Sequence, residues 1–438
     1  MASQSSPSNH CPGHGFSRRL GCAVIGSGPA GLMAADTLLA AGIAVDLYEA
    51  MPAPARKLLA AGSGGLNLTT EEKFSLFLGH YPGREERLRP FLKDFGPRQT
   101  QDWARSLDVA TVRGAGGKVY PASRTAAELT HNWLTRLDNT GLRLHLGHRW
   151  LGWDEAGRLR FMTGQGETTA EAGAVVLALG GGSRPQLGAT GQWRQILAAE
   201  GCAIAPFRPA NCGFEVDFSE HFRARFAHLR LPLKNVVLIF SDGGQSFRKR
   251  GECLVTAYGL EGSLIYACGH LLRDSLEAGH EALVRFDLFP DTPQQALAEK
   301  LKRPRGRRSL ASHLEKCLSL TGVRRGLAYE FIPKETFADS EALAAALKNL
   351  PIPLLRPRPL AEAISTAGGL CFSELDDHLM LKRRPGVFCA GEMLDWEAPT
   401  GGYLITCCLA TGHAAGLAAR NWLKKGSPSQ TAWKRLHE

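Results

Sequence analysis

The sequence is short of several features that would assign its class at once. No uninterrupted apolar run approaches the roughly 20 residues of a membrane span, so a spanning helix is not expected. None of the eleven cysteines stands in a C-x-x-C, which argues against a zinc ribbon or a redox dithiol of that type. Their number is odd, and many lie in apolar runs. Buried free thiols in a reducing, cytoplasmic compartment are expected, rather than a disulfide framework. Cys407 and Cys408 are adjacent inside a helical pattern, where a disulfide would be strained. There is no repeat of solenoid length, no serine nucleophile elbow and no RNA-recognition motif with its aromatic platform. A second complete G-x-G-x-x-G is also missing, so a nicotinamide cofactor would have to bind transiently.

What the chain does have is length, glycine and positive charge. Its 438 residues call for two or three structural units. Hydrophobic residues make up 44% and charged ones 21%, ordinary values for a globular protein. The net charge of +10 permits an anionic partner such as a nucleotide, a nucleic acid or a membrane surface. Many of the forty-nine glycines fall in three clusters.

The first cluster lies in GCAVIGSGPAGLMAADTLLAAGIAVDLYEA (21–50). Arg18 and Arg19 followed by apolar residues have the look of an export signal. Ser27, Gly28, Pro29 and Asp36 interrupt the run, and the segment divides into strand, turn and helix. CAVIG (22–26) reads as a strand, PAGLMAADTLLAAG (29–42) as a helix and IAVDLYEA (43–50) as a second strand. That context gives the G-x-G-x-x-G its meaning as a dinucleotide fingerprint. Gly26 permits the tight turn, Gly28 lets a pyrophosphate approach the backbone, and Gly31 lets helix and strand pack closely. Ser27, Ala30 and Ala50 belong to the same lining. Glu49 suits the ribose hydroxyls of FAD or NAD and disfavours a 2′-phosphate. The preceding residues, 1–20, read as a disordered tail; its His10, Cys11 and His14 are read as solvated rather than metal-binding.

The other two clusters select FAD. VVLALGGGSRP (175–185) is a buried strand, with Ala178 at its end, running into a glycine turn. PGVFCAGEMLDWEAPTGGYLITCCLATGHAAGLAA (385–419) is a strand, then Gly391 and Glu392, then Gly401-Gly402 and a helix beginning near Tyr403. In flavoproteins with two dinucleotide-binding units, such an acid bonds the ribityl hydroxyls. The helix then points its positive end at the flavin pyrimidine edge. Noncovalent FAD is the expected cofactor, with NAD(P)H as a transient electron donor.

Three stretches resemble a known family. ARKLLAAGSGGLNLTT (55–70), AISTAGGLCFSELD (363–376) and GVFCAGEMLDWEAPTGGY (386–403) are similar to the BaiN/RdsA-type, YhiN-like NAD(P)/FAD-dependent oxidoreductases. Gly65 and Leu66 stand where that family usually has Arg-Cys, Ala398 replaces a Gly, and Leu404 stands where Asn is common, marking a divergent branch. The resemblance implies an α/β, Rossmann-like two-dinucleotide-binding flavoprotein fold with an inserted β-barrel-like domain and a helical domain. It also implies that Lys57 sits near the FAD, that Ser63, Gly64 and Asn67 pass close to the flavin, and that the Trp150 backbone lies near the adenine. Activities in the family include reduction of a ring or enone double bond, in bile-acid intermediates or a uridine of ribosomal RNA, and oxidation of aminoacetone.

The expected organisation is an FAD-binding domain from 21–205 and 360–425, a β-rich insertion from 206–265 and 328–359, and a helical basic insertion from 266–327. A second tail, 426–438, ends the chain. A hairpin is expected around Asp242-Gly243-Gly244. The basic runs FRKR (247–250) and KRPRGRRS (302–309) read as solvated faces, with RNA contact as the alternative. Tyr403 is a candidate substrate donor or a buried tyrosine, and His413 a core histidine on an apolar helix face. The leading function is an FAD-dependent oxidoreductase passing hydride from NAD(P)H through flavin N5 to an unsaturated small-molecule acceptor. An O₂-using amine oxidase and an RNA-directed flavoprotein stay open. No catalytic residue and no oligomeric state is legible.

Overall fold

A computed structural model describes residues 21–62, 65–226 and 230–425. Both tails, with His10, Cys11 and His14, and the pair Ser63-Gly64 lie outside the described residues. The chain opens with strand β1 (Cys22–Ile25), helix α1 (Pro29–Ala40) and strand β2 (Val45–Glu49). After α2 (Arg56–Ala61) come β3 (Thr69–Thr70), α3 (Phe74–Leu78), α4 (Glu85–Asp94), α5 (Pro97–Ser106), β4 (Thr111–Arg113) and β5 (Lys118–Pro121). Helix α6 (Ala126–Asn139) leads back to β6 (Arg143–Leu146). An antiparallel meander, β7 (Arg149–Trp153), β8 (Leu159–Thr163) and β9 (Gly166–Ala170), precedes β10 (Ala174–Leu177) and α7 (Trp193–Ala199).

The insertion begins with β11 (Ile204–Ala210), β12 (Phe214–Glu215), α8 (Glu220–Phe226), β13 (Leu231–Asp242), β14 (Gln245–Val255) and β15 (Gly259–Glu261). It continues through α9 (Ser263–Tyr266), α10 (Gly269–Glu277), β16 (Ala282–Asp287), α11 (Gln294–Leu301), α12 (Leu310–Leu318), α13 (Gly322–Phe331), α14 (Ser340–Lys348) and β17 (Leu350–Leu354). The return is β18 (Ser365–Leu370), β19 (Val387–Cys389) and the long α15 (Tyr403–Lys424).

The main sheet is parallel, in the order β19-β10-β1-β2-β6. Every residue of β1 (CAVI) and β10 (AVVL) is buried, the unbroken apolar run expected of parallel strands covered on both faces. Helices α1 and α15 pack together through small residues. A Cβ on Gly412 would meet the Ala30 carbonyl oxygen at 2.3 Å, and one on Gly416 would meet the Ala34 carbonyl oxygen at 2.9 Å. Glycine within a helix costs about 0.5–1 kcal/mol relative to alanine, and here that cost buys interhelical contact. His413, between these glycines, meets Thr37 Oγ1 at 3.0 Å and packs on Phe95, as a core histidine.

A second apolar core gathers side chains from Cys212 to Ala363. Its sheet runs β12-β15-β14-β13-β16-β17. The strands close toward a barrel because β12 also bonds the segment after β17: Glu215 N donates to Arg356 O at 2.9 Å, and Leu355 N to Glu215 O at 2.9 Å. The β13–β14 turn is Gly243-Gly244, with φ of 53° and 88°, the left-handed pair that a two-residue hairpin needs. Pro351 and Pro353 alternate with the buried Leu350, Ile352 and Leu354 in β17. Their missing N–H groups therefore fall on every second residue of a strand with one ladder partner.

One expectation needs correction here. Residues 266–327 are not purely helical, because β16 lies among them and pairs with both β13 and β17. Leu297, Leu314, Leu318 and Leu327 of the helices enter the same core as Leu238 and Phe286 of the sheet. The helices are thus one outer layer of the barrel rather than a unit with its own core. The chain enters and leaves this region through the antiparallel ribbon β11–β18, bulged between Ala205 and Arg208.

Candidate functional site

The carboxyl ends of β1, β10 and β19 open on one side of the sheet, and the order of the strands reverses between β1 and β10. In open α/β sheets that crevice is where ligands bind. The turn after β1 fills it with crowded backbone. Gly26 has φ of 104°, and a Cβ there would lie 2.3 Å from the Ala178 carbonyl oxygen. A Cβ on Gly31 would lie 1.8 Å from the Gly26 carbonyl oxygen. Gly28 differs: its Cβ would meet nothing within 4 Å. Two of the glycines are thus required by the protein itself, and the third leaves a cradle open. No side chain caps α1, so its first-turn N–H groups and the positive end of its dipole face that cradle.

Glu49, at the end of β2, ties the turn in place. Its Oε2 accepts from Ser27 N at 3.0 Å and from Ser27 Oγ, and its Oε1 from Met51 N at 2.8 Å. A carboxylate offers about four acceptor sites, so Oε1 retains one. Ala50 is exposed at the following bend. Beside this strand end, the Tyr48 ring stacks between His145 at 4.6 Å and Phe161 at 4.2 Å. Phe161 pairs across the ladder with Trp150. Trp150 is buried, T-shaped against Trp153, and its indole N–H has no partner among the described residues.

The second half of the crevice is held by side chains from four segments. Lys57 Nζ donates to Glu392 Oε2 and to Ser183 Oγ, each at 2.7 Å. Glu392 Oε1 accepts from Thr366 N at 3.0 Å. Thr366 Oγ1 in turn accepts from Gly182 N at 2.9 Å and Ser183 N at 3.1 Å, fixing the glycine turn that follows β10. A Cβ on Gly391 would meet Ala30 Cβ at 2.7 Å, so the two halves touch. Sequence reasoning singled out Lys57 and Glu392 separately but not their pairing, and it missed Ser183 and Thr366. The stretch AISTAGG held the signal for Thr366.

At the start of α15, Gly402 has φ of 85°, and a Cβ there would lie 2.4 Å from Thr69 Cα. Thr70 Oγ1 donates to Gly401 O at 2.6 Å. Tyr403 is 7% exposed. Its hydroxyl donates to Glu72 Oε1 at 2.8 Å, its ring lies 4.1 Å from that of His80, and Tyr81 Oη donates to its carbonyl at 2.8 Å. Burial, with the Glu72 carboxylate alongside, pushes the Tyr403 hydroxyl well above its ordinary pKa. Tyr403 is therefore a committed buried tyrosine rather than a free donor. Asn67, just before β3, has its amide nitrogen set to donate to Thr69 O at 2.9 Å and Val119 O at 3.2 Å.

Between the two cores lies a narrow cleft that sequence reasoning did not anticipate. Asn211 lines it, in the left-handed region at φ of 52°. Its amide donates to Ser365 Oγ at 2.6 Å and Ala398 O at 2.8 Å, and its Oδ1 accepts from Thr400 N at 3.0 Å. Tyr266, His270, Pro82 and Glu397 also line the cleft. Glu397 makes a bidentate pair with Arg273, which is 0% exposed. The lining of the cleft reaches to Pro399, two residues before Gly401. Nothing in the sequence pattern marks Tyr266, His270 or Arg273.

The basic runs stand apart in character. Residues 302–309 are exposed between α11 and α12. Within 247–250, on β14, Arg250 pairs with Asp291, and the charge of Lys249 reaches His80. Seven of the ten described cysteines are buried, and all ten are free. Among the described residues no helix is long and apolar enough to cross a membrane.

A parallel sheet with a glycine turn, an uncapped helix and a second glycine turn returning from the far end of the chain defines an FAD-dependent oxidoreductase of the Rossmann class. The residues present fit that cofactor, because the Gly28 cradle, the free first turn of α1 and the spare acceptor on Glu49 converge on one crevice. The HI0933-like protein Rossmann domain family matches residues 21–418, and the chain belongs to it. Among curated proteins it is 27% identical over 425 residues to the 3-dehydro-bile acid delta(4,6)-reductase of Clostridium scindens, covering 90% of this chain and 98% of that protein. Among solved structures it is similar to the 3-ketosteroid-delta4-(5alpha)-dehydrogenase of Rhodococcus jostii RHA1, at TM-score 0.51 and 16% identity, covering 93% of this chain and 98% of that one. The 3-ketosteroid delta1-dehydrogenase of Sterolibacterium denitrificans gives TM-score 0.51 and 13% identity, over 92% of this chain and 99% of that one. These structural likenesses speak for the fold alone.

Proposed function

We propose that this chain binds FAD noncovalently and uses electrons from a reduced pyridine nucleotide to saturate a carbon–carbon double bond conjugated to a carbonyl. Gly28 carries the cofactor half of this reading, since its open cradle at an uncapped helix N-terminus is what a diphosphate requires. Gly26, Ser27, Ala30 and Gly31 shape the turn around the diphosphate. Glu49 and Ala50 face the adenosine ribose, and the Trp150 backbone lies beside the adenine. Ala178, Gly391 and Glu392 line the ribityl chain, with Lys57 holding the Glu392 carboxylate. Asn67, Gly401, Gly402 and the Tyr403 N–H border the flavin, where the positive end of α15 stabilises negative charge on the pyrimidine edge.

The bound flavin supplies the hydride relay; the protein orients it and excludes water. The whole-length likeness to a reductase of a bile-acid double bond supports an enone acceptor for this chain. The test is anaerobic mixing of the FAD-loaded protein with NADH or NADPH. Rapid bleaching of the flavin, restored by an added enone, is expected. Bleaching by primary amines alone would replace this reading with an amine oxidase, and FMN in place of FAD would sink the assignment of Glu49.

A further inference from the structure

Resting on the reading of α15 as the end that meets the flavin, we propose that His80, Glu72 and Tyr403 form a proton-holding cluster beside it. His80 takes up a proton from water when the flavin is reduced and releases it when the flavin is reoxidised.

The cluster is assembled at the start of α15 from three separate segments. Thr69 and Thr70 of β3 lie against Gly402 and Gly401, and Glu72 follows two residues later. One oxygen of Glu72, Oε1, accepts from the Tyr403 hydroxyl at 2.8 Å and lies 3.2 Å from His80 Nε2. The His80 ring also packs on the Tyr403 ring, with centroids 4.1 Å apart. Phe77 covers Tyr403 at 4.9 Å, and Tyr81 Oη holds the Tyr403 carbonyl. Tyr403 is the first residue of α15. A charge on His80 is therefore one side chain away from the helix end that borders the flavin.

His80 is the member whose ordinary range spans neutral pH. Burial pushes the hydroxyls of Tyr403 and Tyr81 far above that range, so both keep their protons. Two charges act on His80: Glu72 favours its protonation, and Lys249 of β14 opposes it. Burial outweighs the carboxylate and lowers the proton affinity below its ordinary value. The ring is therefore neutral near neutral pH while the flavin is oxidised. Negative charge arriving at the pyrimidine edge, at the end of the same helix, tips the balance toward the protonated ring. Water can reach the cluster from two sides. The His80 side chain is 32% exposed, and Glu72 lines an open groove of about 470 Å³ with Phe74, Lys93 and Arg98.

The proton count suits saturation of a double bond. A reduced pyridine nucleotide delivers two electrons and one proton, together as hydride. Saturation consumes that hydride at one carbon and a further proton at the other. The proton drawn from water on reduction makes up the difference. His80 acts through Tyr403 and Glu72, as a positioning residue.

The test follows the His80 ring C–H resonance by NMR across a pH titration of the FAD-loaded protein, first oxidised and then reduced with dithionite. It needs neither substrate nor pyridine nucleotide. The resonance is assigned by its loss in His80→Gln, or in His80→Asn if the first variant does not fold. The His80 midpoint is expected to rise by about one unit on reduction. Glu72→Gln removes the shared carboxylate and should lower the midpoint in both states. A histidine with a purely structural role would titrate without regard to the flavin. The inference is overturned if the midpoint is the same in both states, or if Glu72→Gln leaves it unmoved. Failure of the reductase reading looks different: His80 still shifts with dithionite, but neither NADH nor NADPH bleaches the flavin. A protein that retains no flavin would sink the cofactor reading and this inference together, whereas a loaded protein with an unmoved His80 sinks the inference alone.

Discussion

The two glycine turns that meet in the crevice are built by different physics. The first, Gly26 to Gly31, is held chiefly by backbone crowding, within the turn itself and against Ala178 at the end of β10, with Glu49 tying Ser27 in place. The second, from Gly391 to Gly402, is held by side chains that arrive from far away: Lys57 on Glu392, Thr70 on Gly401 and Asn211 on Thr400. A local turn can be written in a short motif, because its constraints are steric and nearby. A turn assembled from remote tethers cannot, because each tether is an ordinary polar residue until the fold places it.

The sharpest break in that comparison lies inside the first turn. Gly31→Val forces a Cβ to 1.8 Å from the Gly26 carbonyl oxygen and is expected to unfold the domain or cost more than about 4 kcal/mol. Gly28→Val places its side chain where the protein has nothing within 4 Å, so the apo melting temperature should move little while FAD binding is lost even at high FAD. Apo melts beside FAD fluorescence quenching separate the two variants. Equal loss of fold in both would mean that Gly28 serves packing and not a ligand.

Next in size is the strongest tether of the second turn. Asn211→Ala removes three hydrogen bonds from a buried site and leaves Ala398 O and Thr400 N without those partners. A loss of about 2–4 kcal/mol in urea unfolding is expected. Weakened FAD loading should accompany it, because the loop leading to Gly401 loosens. Asn211→Asp keeps the acceptor for Thr400 N and should lose less. If both variants keep full stability, the second turn is not held from the inserted region.

These contrasts explain what was legible in the sequence. The strand–turn–helix from Cys22 to Glu49 was readable because apolar periodicity and glycine spacing are local signals, and its strand ends fall within two residues of where they were read. The Gly243-Gly244 hairpin was readable for the same reason. Strand β16 was not. Its ALVRFD is short, sits among helices and pairs with strands more than forty residues away in either direction, so only the closed sheet reveals it. Asn211 and Arg273 were invisible because their significance lies in partners brought close by the fold, and AISTAGG marked the stretch of Thr366 without showing its bonds to Gly182 and Ser183.

Smaller again is a pH effect spread over both cores. Burial depresses the proton affinity of His80, His270 and His413 below the ordinary 6.5. The unfolded chain then binds protons that the folded one refuses. The stability these groups contribute is full above 6.5 and is lost as pH falls through their folded values. Each histidine contributes a slope of at most about 1.4 kcal/mol per pH unit. His413→Gln should flatten the fall measured by urea unfolding between pH 7 and pH 5. An unchanged slope would show that His413 accepts its proton without disturbing the α1–α15 contact.

The smallest expected effect tests a region that belongs to neither turn. Arg305, Arg307 and Arg308 are exposed, and none is ion-paired among the described residues. A solvated cation that touches nothing contributes little to folding, so changing all three to alanine should shift stability by no more than about 0.5 kcal/mol at each site. FAD content should not move, because both turns are held by residues elsewhere in the chain. The same variant decides whether the run meets nucleic acid. If these arginines neutralise phosphates of a single-stranded RNA, their loss should reduce the slope of log affinity against log salt by about 0.7 for each contact removed. The expected result is an unchanged slope for a homopolymeric RNA between 50 and 200 mM salt, with the run acting as a solvated face. A slope that falls by about 2 would make this surface an RNA contact and tie the inserted region to a substrate far larger than the cleft.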